Sequence, residues 1–337
     1  MTRPLLIDPV LRALADPTRL RIMQLLWAME LAVGELAQVL GQSQPRVSRH
    51  VKILCDAGLA ERRKEGSWVF LKSAISESRS TTLGAATAKL LAAAEGEDAG
   101  FSAQCDEDRR HLAATRAARE TAAAAYFARH AEEWDQIRSL LSPDGPVEDA
   151  LAAALMGDLG GGDLGQLLDV GTGTGRMVHL FARHAAHVTA VDKSPEMLRI
   201  ARSRLQDLPA GHVDLVQGDF TALPMGEASV DTILFHQVLH YAQEPQAVLA
   251  EAARVARHGA RIAVVDLAAH AHEELRSAHA HARLGFSDEQ MLQLFTQAGF
   301  AADSPRAIAG GQLTVKIWTG HRIVQTAATG KNKKVVS

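Results

Sequence analysis

The sequence predicts an α/β protein with two unlike parts, and three observations predict it. The first 75 residues read as short helical patterns followed by a basic hairpin. From about residue 163 to 320, β-branched runs alternate with helical patterns, as in a parallel sheet covered by helices. Within that stretch, Leu167–Met177, "LLDVGTGTGRM", sets a glycine-rich turn directly after an apolar strand. At 337 residues the chain has room for two or three domains of roughly 150 residues each. The boundaries read as 1–95 for the basic module, 96–162 for an Ala-rich helical connector, 163–320 for the sheet domain and 321–337 for a frayed basic tail.

Composition narrows the class. Apolar residues make up 47% and charged residues 22%, enough for a hydrophobic core and unlike a disordered chain. Cys55 and Cys105 are the two cysteines, so a disulfide framework or a Cys-rich zinc module is excluded. No run of apolar residues is long enough to span a bilayer, and Met1–Pro9 lacks the pattern of a signal peptide. The expectation is a soluble protein of a reducing cytoplasm with no membrane partner. The net charge of −3 hides an asymmetry: residues 1–75 carry +4 and the remainder −7. A polyanionic partner would therefore meet only the first part.

In that part, Val33, Leu36, Ala37 and Leu40 fall at helical spacing and Gly41 stops the helix. Ser43 is placed to cap a second helix, with Pro45 in its first turn. Val47, Val51 and Leu54 then form one apolar face, while Ser48, Arg49 and Lys52 lie opposite, with Arg46 and His50 at the edges. A short turn joining two helices, the second apolar behind and basic in front, has the form of a major-groove reader. Ser43, Gln44, Arg46, Ser48, Arg49, His50 and Lys52 are its candidate contacts, Arg to guanine and Lys or Ser to phosphate. Next, "LAERRKEGSWVFLK" gives two short strands turning at Glu65-Gly66, with Arg62, Arg63 and Lys64 as phosphate contacts. A solvated basic hairpin is the plainer reading of the wing alone; helix, reading helix and basic wing in this order favour DNA.

The stretch "LADPTRLRIMQLL" together with "VGELAQVLGQSQPRVSRHVKILCDAGLAERRKEGSWVFLK" resembles the ArsR-type winged helix-turn-helix repressors. The resemblance implies a homodimer on a palindromic double-stranded operator, with flanking helices near Ile7–Ala15 and Thr82–Ala94 at the dimer contact. Soft-metal sensors of that family carry thiolates where this chain has Ala32 and Gly34, so no metal is expected. Cys55 reads as a small core residue.

In the second part, Gly171, Gly173 and Gly175 follow a strand at spacing two, which lets backbone approach a ligand at a helix N-terminus. Asp169 at the strand end suits an amino group better than a pyrophosphate. Asp192 ends the next strand, where a carboxylate accepts from ribose hydroxyls. Asp219, with Phe220 beside it, ends a third and suits an adenine amino group. "SVDTILFHQVLHY" is a fourth strand, with His236, Gln237, His240 and Tyr241 at or beyond its C-terminal end. Each Asp alone is as well read as a helix cap; the ordered set is what points to a ligand.

From about Asp163 to Gly320 the chain resembles class I S-adenosylmethionine (SAM)-dependent methyltransferases of the small-molecule branch. The resemblance implies a Rossmann-like seven-stranded sheet with its last strand, "LTVKIWTG", antiparallel. Asp169, Gly171, Thr172, Gly173 and Gly175 would hold the methionine end. Asp192 would bind the ribose, Met197 would pack on the nucleoside, and Asp219 with Phe220 would read adenine, with Lys193 and His236 as further cofactor-binding candidates. S-adenosylhomocysteine (SAH) would be product or ligand. A helix Tyr126–Leu141, striped by Phe127, Trp134, Ile137 and Leu141, would cover the pocket or simply pack. No "NPPY"-type sequence follows strand four, which speaks against DNA-base methylation and for a small-molecule acceptor. His236 and His240 are the candidate bases. His270, His272, His279 and His281 form two His-x-His pairs, better read as a solvated face or lid than as a zinc site. The functional expectation is a DNA-binding regulator, in the repressor sense, carrying this methyltransferase domain; the alternative is a non-catalytic SAM or SAH sensor controlling transcription.

Overall fold

In the computed structural model the chain is described over residues 5–65, 68–75, 81–141, 144–157, 163–309 and 312–323. The turn residue Gly66, the glycines 160–162 and the basic tail beyond 323 lie outside the described residues. The contacts divide the chain into two units, one of residues 1–126 with 269–284, the other of 127–268 with 285–337.

The N-terminal unit begins with α1 (Ile7–Leu14) and α2 (Pro17–Ala28), the latter capped by Asp16, whose carboxylate accepts from Arg19 N–H at 3.0 Å. A two-residue strand β1 (Leu31–Ala32) leads into α3 (Val33–Val39), and Gly41 turns the chain at φ 62°. Then come α4 (Gln44–Asp56) and the hairpin β2 (Ala60–Glu65) and β3 (Trp68–Ser73). The three strands pair antiparallel in the order β1-β3-β2. Ile22, Met23, Leu36, Val47, Leu54, Leu59 and Leu71 are buried together, so both helices of the reading unit and the hairpin share one core. Two long helices follow, α5 (Thr82–Glu97) and α6 (Ala99–His130). Asp98 separates them and accepts from Gly100 and Phe101 N–H, which caps α6. Charged pairs hold α6 to the earlier helices. Arg21 grips Asp108 with both guanidinium nitrogens at 2.7 and 2.5 Å, and Arg119 reaches the buried Glu35 at 2.7 Å.

In the sheet unit, the expected single helix Tyr126–Leu141 is broken. After α6 ends at His130, a tight turn spans Ala131–Glu133, and α7 (Trp134–Leu141) starts afresh. The break is tertiary in origin: Glu132 pairs with Arg199, and Asp135 with Thr174 and Arg204, which fixes the start of α7 to this unit. α8 (Asp144–Met156) buries Val147, Leu151 and Leu155.

The sheet is then laid down as β4 (Gln166–Val170), α9 (Arg176–Phe181), β5 (His187–Asp192), α10 (Pro195–Arg204), β6 (Val213–Gln217), β7 (Val230–His236), α11 (Pro245–Val255) and β8 (Ala256–Leu267). After β8 the chain passes into the N-terminal unit for residues 269–284, which hold α12 (Glu274–Ala278), and returns at Gly285. α13 (Asp288–Ala298), β9 (Phe300–Ala302), β10 (Arg306–Ile308) and β11 (Val315–Arg322) complete it. Strand order is β10-β11-β8-β7-β4-β5-β6, with β9 also on β11. β6, β5, β4, β7 and β8 run parallel; β11 is antiparallel to β8. The edge position next to β11 is filled by two short strands, because Pro305 between them has no N–H to give a ladder. β4 and β7 are neighbours from which successive strands depart in opposite directions, so the crevice beyond their C-terminal ends is the switch point where such sheets bind ligands.

Candidate functional sites

On α4, Val47, Val51 and Leu54 are at most 2% exposed, and this burial orients the rest of the helix. Ser43, Gln44, Arg46, Ser48, Arg49 and Lys52 are all exposed, and none of Arg46, Arg49 and Lys52 enters an ion pair among the described residues. Ser43 occupies the N-cap position with extended backbone, yet its side chain makes no capping bond, contrary to expectation; its hydroxyl is left facing outward. His50 departs from the open face. It is half-buried, with Nδ1 3.7 Å from the Asp16 carboxylate that caps α2.

The wing separates its basic residues by strand alternation. Arg62 and Lys64 are exposed. Arg63 points the other way, its guanidinium bound to both carboxylate oxygens of Glu30 at 3.1 Å and set over the Phe70 ring at 4.8 Å. Arg283 joins the same pair, 3.2 Å from Glu30 and 5.0 Å over Phe70. The two guanidinium groups outweigh the effect of burial and hold the Glu30 carboxyl below the usual range. Arg63 is thus a half-buried, ion-paired residue and not the free cation that its reading as a phosphate contact expected. Arg283 was not anticipated; an ion pair 253 residues apart leaves no local signal.

At the switch point, Gly171, Gly173 and Gly175 all take positive φ (70°, 53° and 78°), and a Cβ at Gly171 would lie 2.3 Å from Val238 Cγ2. The turn therefore needs glycine both for its backbone and for the approach of the loop after β7. Asp169 is buried and accepts from Thr172 Oγ1 at 2.6 Å, while its other oxygen has no partner among the described residues. Burial, with the Asp192 charge adding and the Thr172 bond opposing, pushes the Asp169 carboxyl up to about 7. Asp192 accepts from Gly173 N–H at 2.7 Å and from Ser194 N–H at 2.8 Å. Burial raises its pKa against those bonds. Lys193 N–H adds to these bonds, so of the roughly four lone-pair sites of a carboxylate about one remains. Ser194 also caps α10, and Met197 in its first turn is buried. Asp219 accepts from Thr221 and, at 3.0 Å, from Lys193; these bonds outweigh burial and lower its pKa. Phe220 beside it is half-buried.

His236 ends β7 half-buried, with its Nε2 shut off from solvent. Burial, with the nearby Arg138 and Arg176 charges adding, drives its pKa down to about 3, and its Nε2 has no hydrogen-bond partner among the described residues. Such an imidazole is neutral and a weak base at pH 7. His240 is different: its Nδ1 lies 2.7 Å from Asp266 Oδ1, with both side chains almost wholly buried. Asp266 also accepts from the N–H groups of His240 (3.1 Å) and Leu267 (2.7 Å); an ionised carboxylate only accepts, so Nδ1–H is the donor of the pair. Asp266 was missed in the sequence, although it ends strand "ARIAVVDLAAH" just as Asp169 and Asp192 end theirs.

The two His-x-His pairs, His270 with His272 and His279 with His281, belong to the N-terminal unit. His279 Nδ1 is 2.8 Å from the Tyr126 hydroxyl, and His272 pairs with Glu274 at 2.9 Å. Among the described residues no three His, Cys, Asp or Glu side chains are placed to hold a metal ion, and no helix is long and apolar enough to cross a membrane.

An open sheet with a glycine turn at its switch point and acidic residues at successive strand ends is a methyltransferase architecture, and the N-terminal unit is a winged helix-turn-helix. Residues 168–264 match the family model of a methyltransferase domain, and residues 16–62 match that of the bacterial regulatory proteins of the arsR family. The chain therefore joins an arsR-type module to a methyltransferase domain. It is similar to the demethylmenaquinone methyltransferase of Tropheryma whipplei (strain Twist), at 36% identity over 140 residues, covering 42% of this chain and 56% of the relative. A malonyl-[acyl-carrier protein] O-methyltransferase of Serratia marcescens matches at 37% over 135 residues, covering 38% and 51%. The chain spans about half the length of these relatives. Among solved structures it is similar to the N-methyltransferase NodS of Bradyrhizobium japonicum WM9 in complex with SAH, with a TM-score of 0.44 and 16% identity over 53% of this chain and 89% of the other. The residues at the turn fit SAM as the methyl donor of such a domain: the Asp169 oxygen without a partner among the described residues is an acceptor for a donor such as the methionine ammonium.

Proposed function

We propose that this chain is a transcriptional repressor that binds a palindromic operator as a homodimer and uses its second domain to methylate a small molecule. The exposed face of α4 with Arg62 and Lys64 supports a DNA partner and, with it, a cytoplasmic location. Leu6, Ile7 and Leu11 at α1 and Leu90 on α5 are large apolar side chains left exposed, and they support a second copy as partner.

In the methyltransferase domain, Asp169 and the glycine turn would receive the amino-acid end of SAM, Asp192 and Lys193 its ribose, and Asp219, Phe220 and Met197 its adenine. When bound, SAM supplies a methyl group on a positively charged sulfur. The observation that carries the catalytic reading is the His240–Asp266 pair. Asp266 holds Nδ1–H and so leaves Nε2 as the basic nitrogen, able to take a proton from an acidic acceptor hydroxyl or thiol. His236, neutral and half-buried, lines the site. The test is label transfer from tritiated SAM to a panel of phenols, thiols and carboxylic acids. An accepted compound should lose about 100-fold in rate in His240→Ala, a typical general-base contribution, with SAM affinity unchanged. Retention of rate would remove the base assignment.

A second reading, a SAM or SAH sensor, is favoured by one observation. The segment that leaves the sheet after β8 belongs to the DNA-binding unit, and its Arg283 binds the same Glu30 as Arg63 of the wing. Titrating SAM and SAH against the protein on DNA from its own promoter tests it. A coupling of about 1–3 kcal/mol would shift operator affinity roughly 5- to 150-fold, and no shift with either ligand would leave only the catalytic reading.

A further inference from the structure

Aromatic residues are scarce in this chain, at 4%, yet three of them meet beside the glycine turn. Phe127 closes on Tyr241 with ring centroids 4.9 Å apart at 82°, and on Trp134 at 5.4 Å and 70°. Trp134 and Tyr241 are 6.3 Å apart. The rings come from three elements: the end of α6, the start of α7 and the short turn after β7. Trp134 Nε1 lies 3.6 Å from where a Cβ on Gly173 would stand, and the Tyr241 ring is 4.1 Å from that of His240. The cluster thus stands against both the cofactor turn and the proposed base. All three rings are only half-buried, unlike the aromatic core residues Phe181, Phe235, Phe286 and Phe295, so packing alone does not account for them.

Rings that keep part of their surface exposed can offer a negative π face to a ligand, and such faces attract organic cations. No acidic side chain is needed, which suits a methyl-transfer site: a carboxylate would itself compete for the methyl group. We propose that Phe127, Trp134 and Tyr241 form an aromatic cage for the sulfonium of SAM, and that the cage distinguishes this cation from the neutral thioether of SAH. The proposal rests on the reading of this crevice as the SAM site. It adds a charge-selective subsite that none of the Asp or Gly residues supplies, since SAM and SAH share every group those residues would hold.

The test is calorimetric titration of the full chain with SAM, SAH and sinefungin, which carries an ammonium where SAM has its sulfonium. Replacing Trp134, Phe127 or Tyr241 singly by Leu should lower the SAM-to-SAH affinity ratio by about 2- to 30-fold, the range of a cation–π contact, and sinefungin should follow SAM. Tyr241→Phe should keep the ratio. SAH affinity within twofold of the parent's shows that each variant is folded. An unchanged ratio, or an equal loss of SAM and SAH, would overturn the cage and leave the rings as an apolar cover. Failure of the unaltered chain to bind either nucleoside would instead overturn the site reading itself.

Discussion

The face of α4 keeps its cations in water over a dry scaffold, whereas the crevice at the ends of β4, β5 and β8 keeps its carboxylates dry and satisfies them with nearby N–H and O–H groups. Arg46, Arg49 and Lys52 project from a helix whose opposite side is closed. Asp169 and Asp266 are enclosed, Asp192 is half-buried, and all three already hold protein donors. An exposed cation is ready for a polyanion at little desolvation cost, and counterion release drives its binding. A buried carboxylate must be held by partners, so each unfilled acceptor position is a demand for a specific ligand group. The contrast predicts large, ligand-specific losses at the crevice and smaller, salt-dependent losses on the helix face.

The largest expected effect is at Asp192. On the proposed reading its replacement by Ala removes the acceptor for the ribose, and it also frees Gly173 and Ser194 N–H. At about 1.5–3 kcal/mol per charged hydrogen bond, SAM affinity in calorimetry should fall by at least about 100-fold. Unchanged affinity would break the comparison at its strongest point.

Next is the pH dependence set by Asp169. Its folded pKa of about 7 stands above an unfolded value of about 3.9, so the native state binds more protons across that window. Stability without ligand therefore falls as pH rises from about 4 to 7 and levels off above. A cationic ligand group demands the ionised carboxylate, so SAM affinity should run the other way. It should drop by up to about tenfold per unit as pH falls below 7, with proton release on binding. Asp169→Asn should bind weakly and without this slope. Equal slopes in both proteins would place the ammonium elsewhere.

Much of this was legible in the sequence because it is local. Glycines at spacing two, an acidic residue at each strand end and the three-four spacing of Val47, Val51 and Leu54 are all written within a few residues, and they located the turn, the acidic strand ends and the exposed side of α4. What was not legible depends on distant partners. Asp266 meets His240 26 residues away, and Glu30 meets Arg63 33 away. The helix expected over Tyr126–Leu141 has a sound apolar stripe, but Asp135 is drawn to Thr174 and Arg204, and that tertiary demand overrides helical propensity at 131–133. One error was avoidable: in a strand, neighbours face opposite sides, so Arg62 and Lys64 were separable from Arg63 by counting.

The smallest effects, on the wing, separate the two plans within three consecutive residues. Arg62 and Lys64 are exposed cations of the helix-face kind; Arg63 is a paired, half-buried cation of the crevice kind. Arg62→Ala should weaken specific and random DNA alike and reduce the slope of log affinity against log salt by about one unit, with stability unchanged. Arg49→Ala, on the reading helix, should add a loss of about 1–3 kcal/mol confined to the cognate sequence. Arg63→Ala should leave the salt slope intact, because its charge is already neutralised by Glu30, and should lower the stability of the N-terminal unit by about 1–2 kcal/mol, read as a drop in melting temperature. Arg283 remains on Glu30 in that variant, which keeps the carboxylate from being stranded and bounds the loss. If Arg63→Ala instead flattened the salt slope while melting as before, the guanidinium would be leaving Glu30 for phosphate on the operator, and the wing would be a switch between the two anions.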